Sequence, residues 1–292
     1  MSSYFEKRVI VTGAGGMLGR STAHRLLEDG YHCVLVGRDE QALRRTVELA
    51  KGGSDRAALC VGDIRSSHDR KRICSVAAAD GRLFGVVNNA AITRLKPLLA
   101  ASVQDWRDVV ETNLEASFFL AQEALGYMRE AGGGRIVNVG SIYGVTALNN
   151  KLFDGLLPIE TEGDRGPVRE TAYSVSKAGL VQLTKDLAVA VAPWGVTVNI
   201  VSPGHVQAPV YDDGSGRYVP HRTNLAGPDP VTAKYRQGKT DAEVRAKLAE
   251  QYPLGRLGKV GDVTAAIRFL LSEEAAYITG ANLPVDGGFT AW

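Results

Sequence analysis

Short runs of apolar, mostly β-branched residues recur along the chain, separated by stretches whose apolar positions have helical spacing. Arg8-Val9-Ile10-Val11-Thr12 reads as a buried strand, the glycine-rich 13–16 as a turn, and 17–29 as a helix. Cys33–Val36 is the next strand and 39–51 the next helix. Ala57–Val61, Gly85–Asn88, Arg135–Val139 and Thr197–Val201 repeat the pattern, each with a turn and a helical segment behind it, and Leu283–Val285 closes the series. Strands alternating with helices imply parallel βαβ crossovers, hence an α/β fold: a doubly wound parallel sheet with helices on both faces. No shift of composition, internal repeat or low-complexity stretch interrupts 1–292, which reads as a single domain. Two segments break the rhythm. Residues 145–171 and 207–240 are rich in Gly and Pro and follow strand ends. Loops of that length are usually lids or binding loops, and that edge is where open α/β sheets take ligands. They read as a substrate-side insertion and a lid.

Composition narrows the class. Of 292 residues, 45% are hydrophobic and 23% charged, ordinary for a globular protein able to bury a core without staples. A net charge of +2 lacks the basic bias of nucleic-acid binders. Cys33, Cys60 and Cys74 have no metal-ligand spacing and cannot all pair, so neither a metal ion nor a disulfide framework is expected. The start of the chain has no signal-peptide layout, and no apolar run is long enough to span a membrane. A cytoplasmic protein with no membrane or nucleic-acid partner is expected.

Thr12-Gly13-Ala14-Gly15-Gly16-Met17-Leu18-Gly19 follows a strand and opens a helix, the context a dinucleotide site requires. Gly13 permits the sharp turn, Gly16 lets the backbone approach a pyrophosphate, and Gly19 lets the helix pack tightly. The N–H groups that open the helix, around Met17 and Leu18, are free to meet a phosphate. The fold is therefore of Rossmann type. The second strand ends Gly37-Arg38-Asp39. An acid there would bond ribose hydroxyls, whereas an arginine suits a 2′-phosphate. Gly37 stands in the acid's place and Arg38 follows, which favours NADP; NAD is the reading if Asp39 is the acid and Arg38 a solvated charge.

With these motifs in view the chain resembles the short-chain dehydrogenase/reductase family, in its classical branch, over nearly its whole length. The resemblance rests on the turn 12–19, Asp63-Ile64, Asn88-Asn89-Ala90-Ala91, Thr112-Asn113-Leu114 and Asn138-Val139-Gly140-Ser141. Tyr173-Ser174-Val175-Ser176-Lys177, Ser202-Pro203-Gly204 and Val285-Asp286-Gly287-Gly288 complete it, in order. The layout is similar to ketoacyl carrier-protein reductases and to sugar-type oxidoreductases of flagellin modification. Four positions depart from the pattern. Met17 replaces a glycine, giving a spacing typical of the extended branch with its epimerases and dehydratases. Ala91 replaces a glycine, Ala208 stands where a threonine often holds the nicotinamide amide, and the interval from Ser141 to Tyr173 is longer than usual.

Tyr173 and Lys177, four apart on a helix expected over Tyr173–Ala192, share one face. A phenol titrates near about 10, and one ammonium at about 4 Å is strong enough to bring it toward neutrality. Tyr173 would then pass a proton to or from the substrate oxygen, while Ser141 donates a hydrogen bond to it. The resemblance implies further roles. Asn113 would hold a water against Lys177, and Lys177 would also bond the nicotinamide ribose. Asp63 and Ile64 would flank the adenine, Asn89 the adenine-side ribose, and the Val206 backbone the nicotinamide amide. Tyr143 is either a second phenol at the site or a packing residue; His205 either faces substrate or is a solvated or capping histidine. Arg217, His221, Arg222, Lys234 and Arg236 either bind an anionic substrate or form a solvated lid face.

The expected function is an NADP-dependent oxidoreductase interconverting a secondary alcohol and a ketone by hydride transfer, on a small polar or sugar-like molecule. Two alternatives stand beside it. One is a sugar-nucleotide epimerase or dehydratase that retains its cofactor, and the other a non-enzymatic NADP-sensing protein. The resemblance also implies a homodimer or homotetramer.

Overall fold

The apolar runs become a seven-stranded parallel sheet in the computed structural model, which describes residues 7–79, 81–153, 165–207 and 241–291. The strands are β1 (Lys7–Thr12), β2 (His32–Gly37), β3 (Ala57–Val61), β4 (Arg82–Asn88), β5 (Gly134–Val139), β6 (Val196–Pro203) and β7 (Asn282–Val285). Their order is β7-β6-β5-β4-β1-β2-β3. The chain winds outward from β1 to β3, then crosses back to β4 on the other side of β1. The winding reverses between β1 and β4, so a crevice opens at their C-terminal ends.

The helices are α1 (Met17–Glu28), α2 (Glu40–Glu48), α3 (Ser67–Ala78), α4 (Val103–Val110), α5 (Ala116–Glu130), α6 (Thr171–Val191), α7 (Asp241–Ala249) and α8 (Val260–Leu271). Side chains of a strand alternate between faces, and the core divides accordingly. Ile10, Val34 and Val36 pack with Ile73 of α3, Leu120 of α5 and Leu187 of α6. Val9, Val11, Cys33 and Leu35 pack with Leu26 of α1, Leu43 of α2 and Ile267 of α8. Both faces are thus covered, as the unbroken apolar runs require. Helix starts follow local chemistry. Asp39 and Ser66 cap α2 and α3, and Ser102 with Asp105 forms a capping box on α4.

The expected elements are present, with shifted ends. β4 begins at Arg82 because Leu83 and Phe84 are buried before Gly85. β6 runs on to Pro203 with every residue buried. Two ladders carry no periodic signal, each being two residues long. Lys96–Pro97 pairs antiparallel with Val168–Arg169, and Val206–Gln207 pairs parallel with Gly258–Lys259. A third feature is a π-helical turn over Glu111–Glu115, between α4 and α5. Of the two long segments, 154–164 and 208–240 lie outside the described residues, and with them Ala208, Arg217, His221, Arg222, Lys234 and Arg236.

Gly19 is the tightest contact between α1 and the turn before it: a Cβ there would lie 2.2 Å from the Gly13 carbonyl oxygen. Gly19→Ala is expected to cost about 1–3 kcal/mol through overpacking. Chemical denaturation measures this; an unchanged midpoint would mean the turn yields freely.

Candidate active site

A cleft of about 580 Å³ opens along the C-terminal ends of β1, β2, β4, β5 and β6, within the range of small-molecule sites. Its first half is built by the glycine turn. Gly13 takes φ +63°, a left-handed conformation that favours glycine. The Gly16 N–H donates to the Gly13 carbonyl at 2.9 Å, and α1 starts at Met17. Its N-cap makes no side-chain bond and its first turn holds no acid, so the opening N–H groups are available to an anion. Met17 and Leu18 border the cleft with Gly13 and Gly16, while Gly19 lies beneath them. A cradle closed to side chains and lined by backbone donors fits a dinucleotide pyrophosphate.

Arg38 is exposed at the rim, and among the described residues no hydrogen bond or ion pair holds it. Asp39 is turned away, accepting from the Ala42 N–H at 3.0 Å as the cap of α2. Asp63 and buried Ile64 form the cleft wall beyond. Arg65, which the sequence did not single out, also borders the cleft and grips the Asp63 carboxylate at 2.6 Å; that hydrogen bond holds the acid below its ordinary range. The amide of Asn89 donates to the Thr12 and Gly13 carbonyls at 2.8 and 3.3 Å, bracing the glycine turn from the cleft wall. Val206 lines the opposite side on its short ladder with Gly258.

The second half joins β5 to α6. Ser141 follows β5 and opens a tight turn, its hydroxyl accepting from the Tyr143 N–H at 3.1 Å. Gly144 lets that turn lie directly on α6; a Cβ there would sit 2.9 Å from the Lys177 backbone. Tyr173 and Lys177 project from the first turns of α6, and Tyr173 lines the cleft with Ser141, whose hydroxyl favours its ionised form. Lys177 is 2% exposed and donates to the Val139 carbonyl at 2.6 Å, with Nζ 5.6 Å from the Tyr173 ring centre. Asn113 sits in the π-turn with both amide atoms engaged, accepting from the Ile92 N–H at 2.8 Å and donating to Ser176 Oγ at 3.1 Å. All four expected residues therefore gather at one place.

One expectation is corrected. The ammonium does not draw the phenol down toward neutrality here. Burial raises Tyr173 above its ordinary value, the Glu170 charge raises it further, and only the Ser141 hydrogen bond acts the other way. Burial also lowers Lys177, to about 8. A backbone carbonyl, rather than the phenol, takes the lysine's short hydrogen bond.

The substrate end holds groups the sequence did not assign. Glu170 borders the cleft, and its Oε2 accepts from the Thr93 hydroxyl at 2.9 Å. Burial pushes its carboxyl up to about 7. It stands three residues before Tyr173, so the one available signal was proximity in sequence. His205 is half-buried rather than freely solvated: burial lowers it to about 4, and its ring lies 2.5 Å from the Tyr252 hydroxyl and 3.4 Å from that of Tyr143. Tyr143 packs in a buried cluster with Leu148, Val168 and Phe289 while bordering the cleft, so both of its readings meet in one residue.

Comparison with known proteins agrees with this architecture. A family model described as short chain dehydrogenase matches residues 7–152 and 161–215, and one described as enoyl-(acyl carrier protein) reductase matches 216–290. The chain is 32% identical to cis-4-hydroxycyclohexanecarboxylate dehydrogenase of Sinomonas cyclohexanicum, covering 100% of each. It is 30% identical to 2-(S)-hydroxypropyl-CoM dehydrogenase 3 of Xanthobacter autotrophicus, again over 100% of each. A solved oxidoreductase of the short chain dehydrogenase/reductase family from Burkholderia thailandensis superposes with a TM-score of 0.74 at 30% identity, covering 98% of this chain and 94% of that one.

The raised carboxyl of Glu170 has a consequence for stability. The folded chain binds this proton more tightly than the unfolded chain, so the contribution is complete below pH 4.5 and is lost as pH rises through about 7. The melting-temperature difference between wild type and Glu170→Gln should therefore move in the variant's favour across that window. A difference that stays flat with pH would show the carboxyl to be unperturbed.

Proposed function

This chain belongs to the short-chain dehydrogenase/reductase family and is an oxidoreductase acting on CH–OH groups with a nicotinamide dinucleotide; on that premise we propose that it interconverts a polar secondary alcohol and its ketone with NADP(H), using Ser141, Tyr173 and Lys177. The observation that carries the reading is the convergence of those three side chains at the end of β5, beside the glycine cradle.

The dinucleotide supplies the hydride. In the reductive direction Tyr173, kept protonated by burial, gives its proton to the carbonyl oxygen, while the Ser141 hydroxyl donates a hydrogen bond to the same oxygen. The Lys177 ammonium, fixed at the Val139 carbonyl, offsets part of the negative charge left on the phenolate. Asn113 keeps the π-turn against Ile92 and Ser176, and with it the proton path toward Lys177. Gly13, Gly16, Met17 and Leu18, seated on Gly19, would hold the pyrophosphate; Asp63, Ile64 and Asn89 would form the adenosine wall, and Val206 would meet the nicotinamide amide. Arg38 supports NADP over NAD, because its guanidinium stands at the rim where Gly37 leaves no carboxylate and Asp39 is spent as a cap.

Residues 145–171 and 207–240 serve as insertion and lid on the substrate side. Val103 and Trp106 on α4 and Val175 and Val189 on α6 are exposed apolar side chains, a surface that supports a homodimer or homotetramer. Among the described residues no helix is long and apolar enough to cross a membrane. The three cysteines are buried free thiols, which suits the cytoplasm.

Tyr173→Phe is expected to lower turnover by about 10²–10⁴-fold while leaving NADPH affinity within about twofold. Cofactor absorbance and fluorescence titration read the two quantities; undiminished turnover would remove Tyr173 from the chemistry. Arg38→Ala is expected to raise the KM for NADPH about tenfold or more, the size of a lost charge-assisted contact, and to leave that for NADH unchanged. Equal KM changes for both cofactors would count against a 2′-phosphate contact.

A further inference from the structure

Glu170 is an acid in an unusual setting. It is the N-cap residue of α6, yet its side chain makes no capping bond to the helix. The carboxyl points instead to Thr93 Oγ1, at 2.9 Å, and to the cleft, where it lies alongside Ser141 and Tyr173. The adjacent cation does not bond to it: the Arg169 guanidinium donates to the Leu148 carbonyl at 2.5 Å and to Asn150 Oδ1 at 2.8 Å. The neighbouring ring of His205 is neutral at physiological pH, since burial holds it near 4. Among the described residues, the other cations that border the cleft are Arg38 and Arg65 at the nucleotide end, and Lys177, whose ammonium is bonded to Val139.

A carboxylate offers about four acceptor positions. One neutral hydroxyl satisfies a single one of them and leaves the desolvation of the charge largely uncompensated. A ligand donor placed there gains a charge-assisted hydrogen bond, whereas a ligand carboxylate meets a like charge that the Arg169 guanidinium, bonded elsewhere, offsets only in part. We propose that Glu170, held by Thr93, is the specificity-determining residue of the substrate site, and that it selects ketones and alcohols carrying a second hydrogen-bond donor, a hydroxyl or an ammonium, while rejecting those carrying a carboxylate.

This rests on the oxidoreductase reading above and deepens it. It also separates this chain from its relative in Sinomonas, whose named substrate bears a carboxylate.

Two matched series test it with saturating NADPH at about pH 8.5, above the value of about 7 to which burial pushes the Glu170 carboxyl, so that it is ionised. The ring series is cyclohexanone, 4-hydroxycyclohexanone, 4-aminocyclohexanone and 4-oxocyclohexanecarboxylate. The open-chain series is 2-butanone, 4-hydroxy-2-butanone, 4-amino-2-butanone and 4-oxopentanoate. In at least one series the wild type should show kcat/KM about tenfold or more higher for the donor-bearing ketones than for the unsubstituted one, expressed mainly in KM, with the carboxylate poorest. Within each series the hydroxyl and ammonium arms distinguish a polyol-like from a cationic substrate. Glu170→Leu should bring the donor advantage to within about twofold of parity. The near-isosteric Glu170→Gln should abolish the ammonium preference and relieve the carboxylate penalty, and it decides the matter if the leucine variant does not fold.

Equal wild-type kcat/KM across both series, or a preference for the carboxylate in either, would overturn the proposal. So would a uniform loss on every ketone in Glu170→Gln, which would place Glu170 in tuning Tyr173 instead. Turnover without discrimination sinks this inference alone; turnover of no ketone sinks the oxidoreductase reading with it.

Discussion

A buried ammonium joined to a backbone carbonyl organises the site. Lys177 donates a hydrogen bond to the carbonyl oxygen of Val139, the last residue of β5, at 2.6 Å. A cation removed from water is costly unless an acceptor is fixed in place, and here the acceptor belongs to a central strand that cannot move. That bond ties the first turns of α6 to the end of β5. It sets Tyr173 beside Ser141 although 31 residues separate them. The bare Cα of Gly144 completes the approach by letting the Ser141 turn rest on the Lys177 backbone.

A second polar chain runs beneath the first. Asn88 and Asn138 face each other across β4 and β5, with Nδ2 of Asn88 donating to Oδ1 of Asn138 at 2.9 Å. Asn138 donates in turn to Thr184 of α6 at 2.8 Å, and Thr184 to the Leu180 carbonyl. Apolar packing would tolerate small slides of a helix across a sheet. A chain of hydrogen bonds in a dry interior does not, because each broken link strands a buried polar group. The register of α6 on the sheet, and so the position of both proposed catalytic side chains, follows from it.

The cleft has a polarity along its length. At the nucleotide end lie the N-terminus of α1, Arg38 and the Arg65–Asp63 pair; at the other lies Glu170 beneath Thr93. A phosphorylated ligand is drawn to the first end and a donor-bearing one to the second. Tyr173 stands where the two meet, its proton retained by burial and by the acid three residues before it.

The order of strands and helices was legible because fully buried parallel strands must be written as unbroken apolar runs, and β3 was read to the residue at Ala57–Val61. The glycine turn, Asp39 beside Arg38, and the Tyr173–Lys177 spacing were equally legible, since each is a local constraint with its own residue signature. The two-residue ladders and the π-turn at Asn113 were not, being shorter than any periodicity. Nor was the state of the charges. Whether Asp39 faces a ribose or caps α2, whether His205 is solvated or wedged between two phenols, and whether Tyr173 is lowered by its lysine or raised by its surroundings all depend on what lies nearby in space. Burial and distance decide such questions, and both arise only once the chain has closed on itself: sequence determined which groups are present, and tertiary structure decided which of them carry charge and toward what they point.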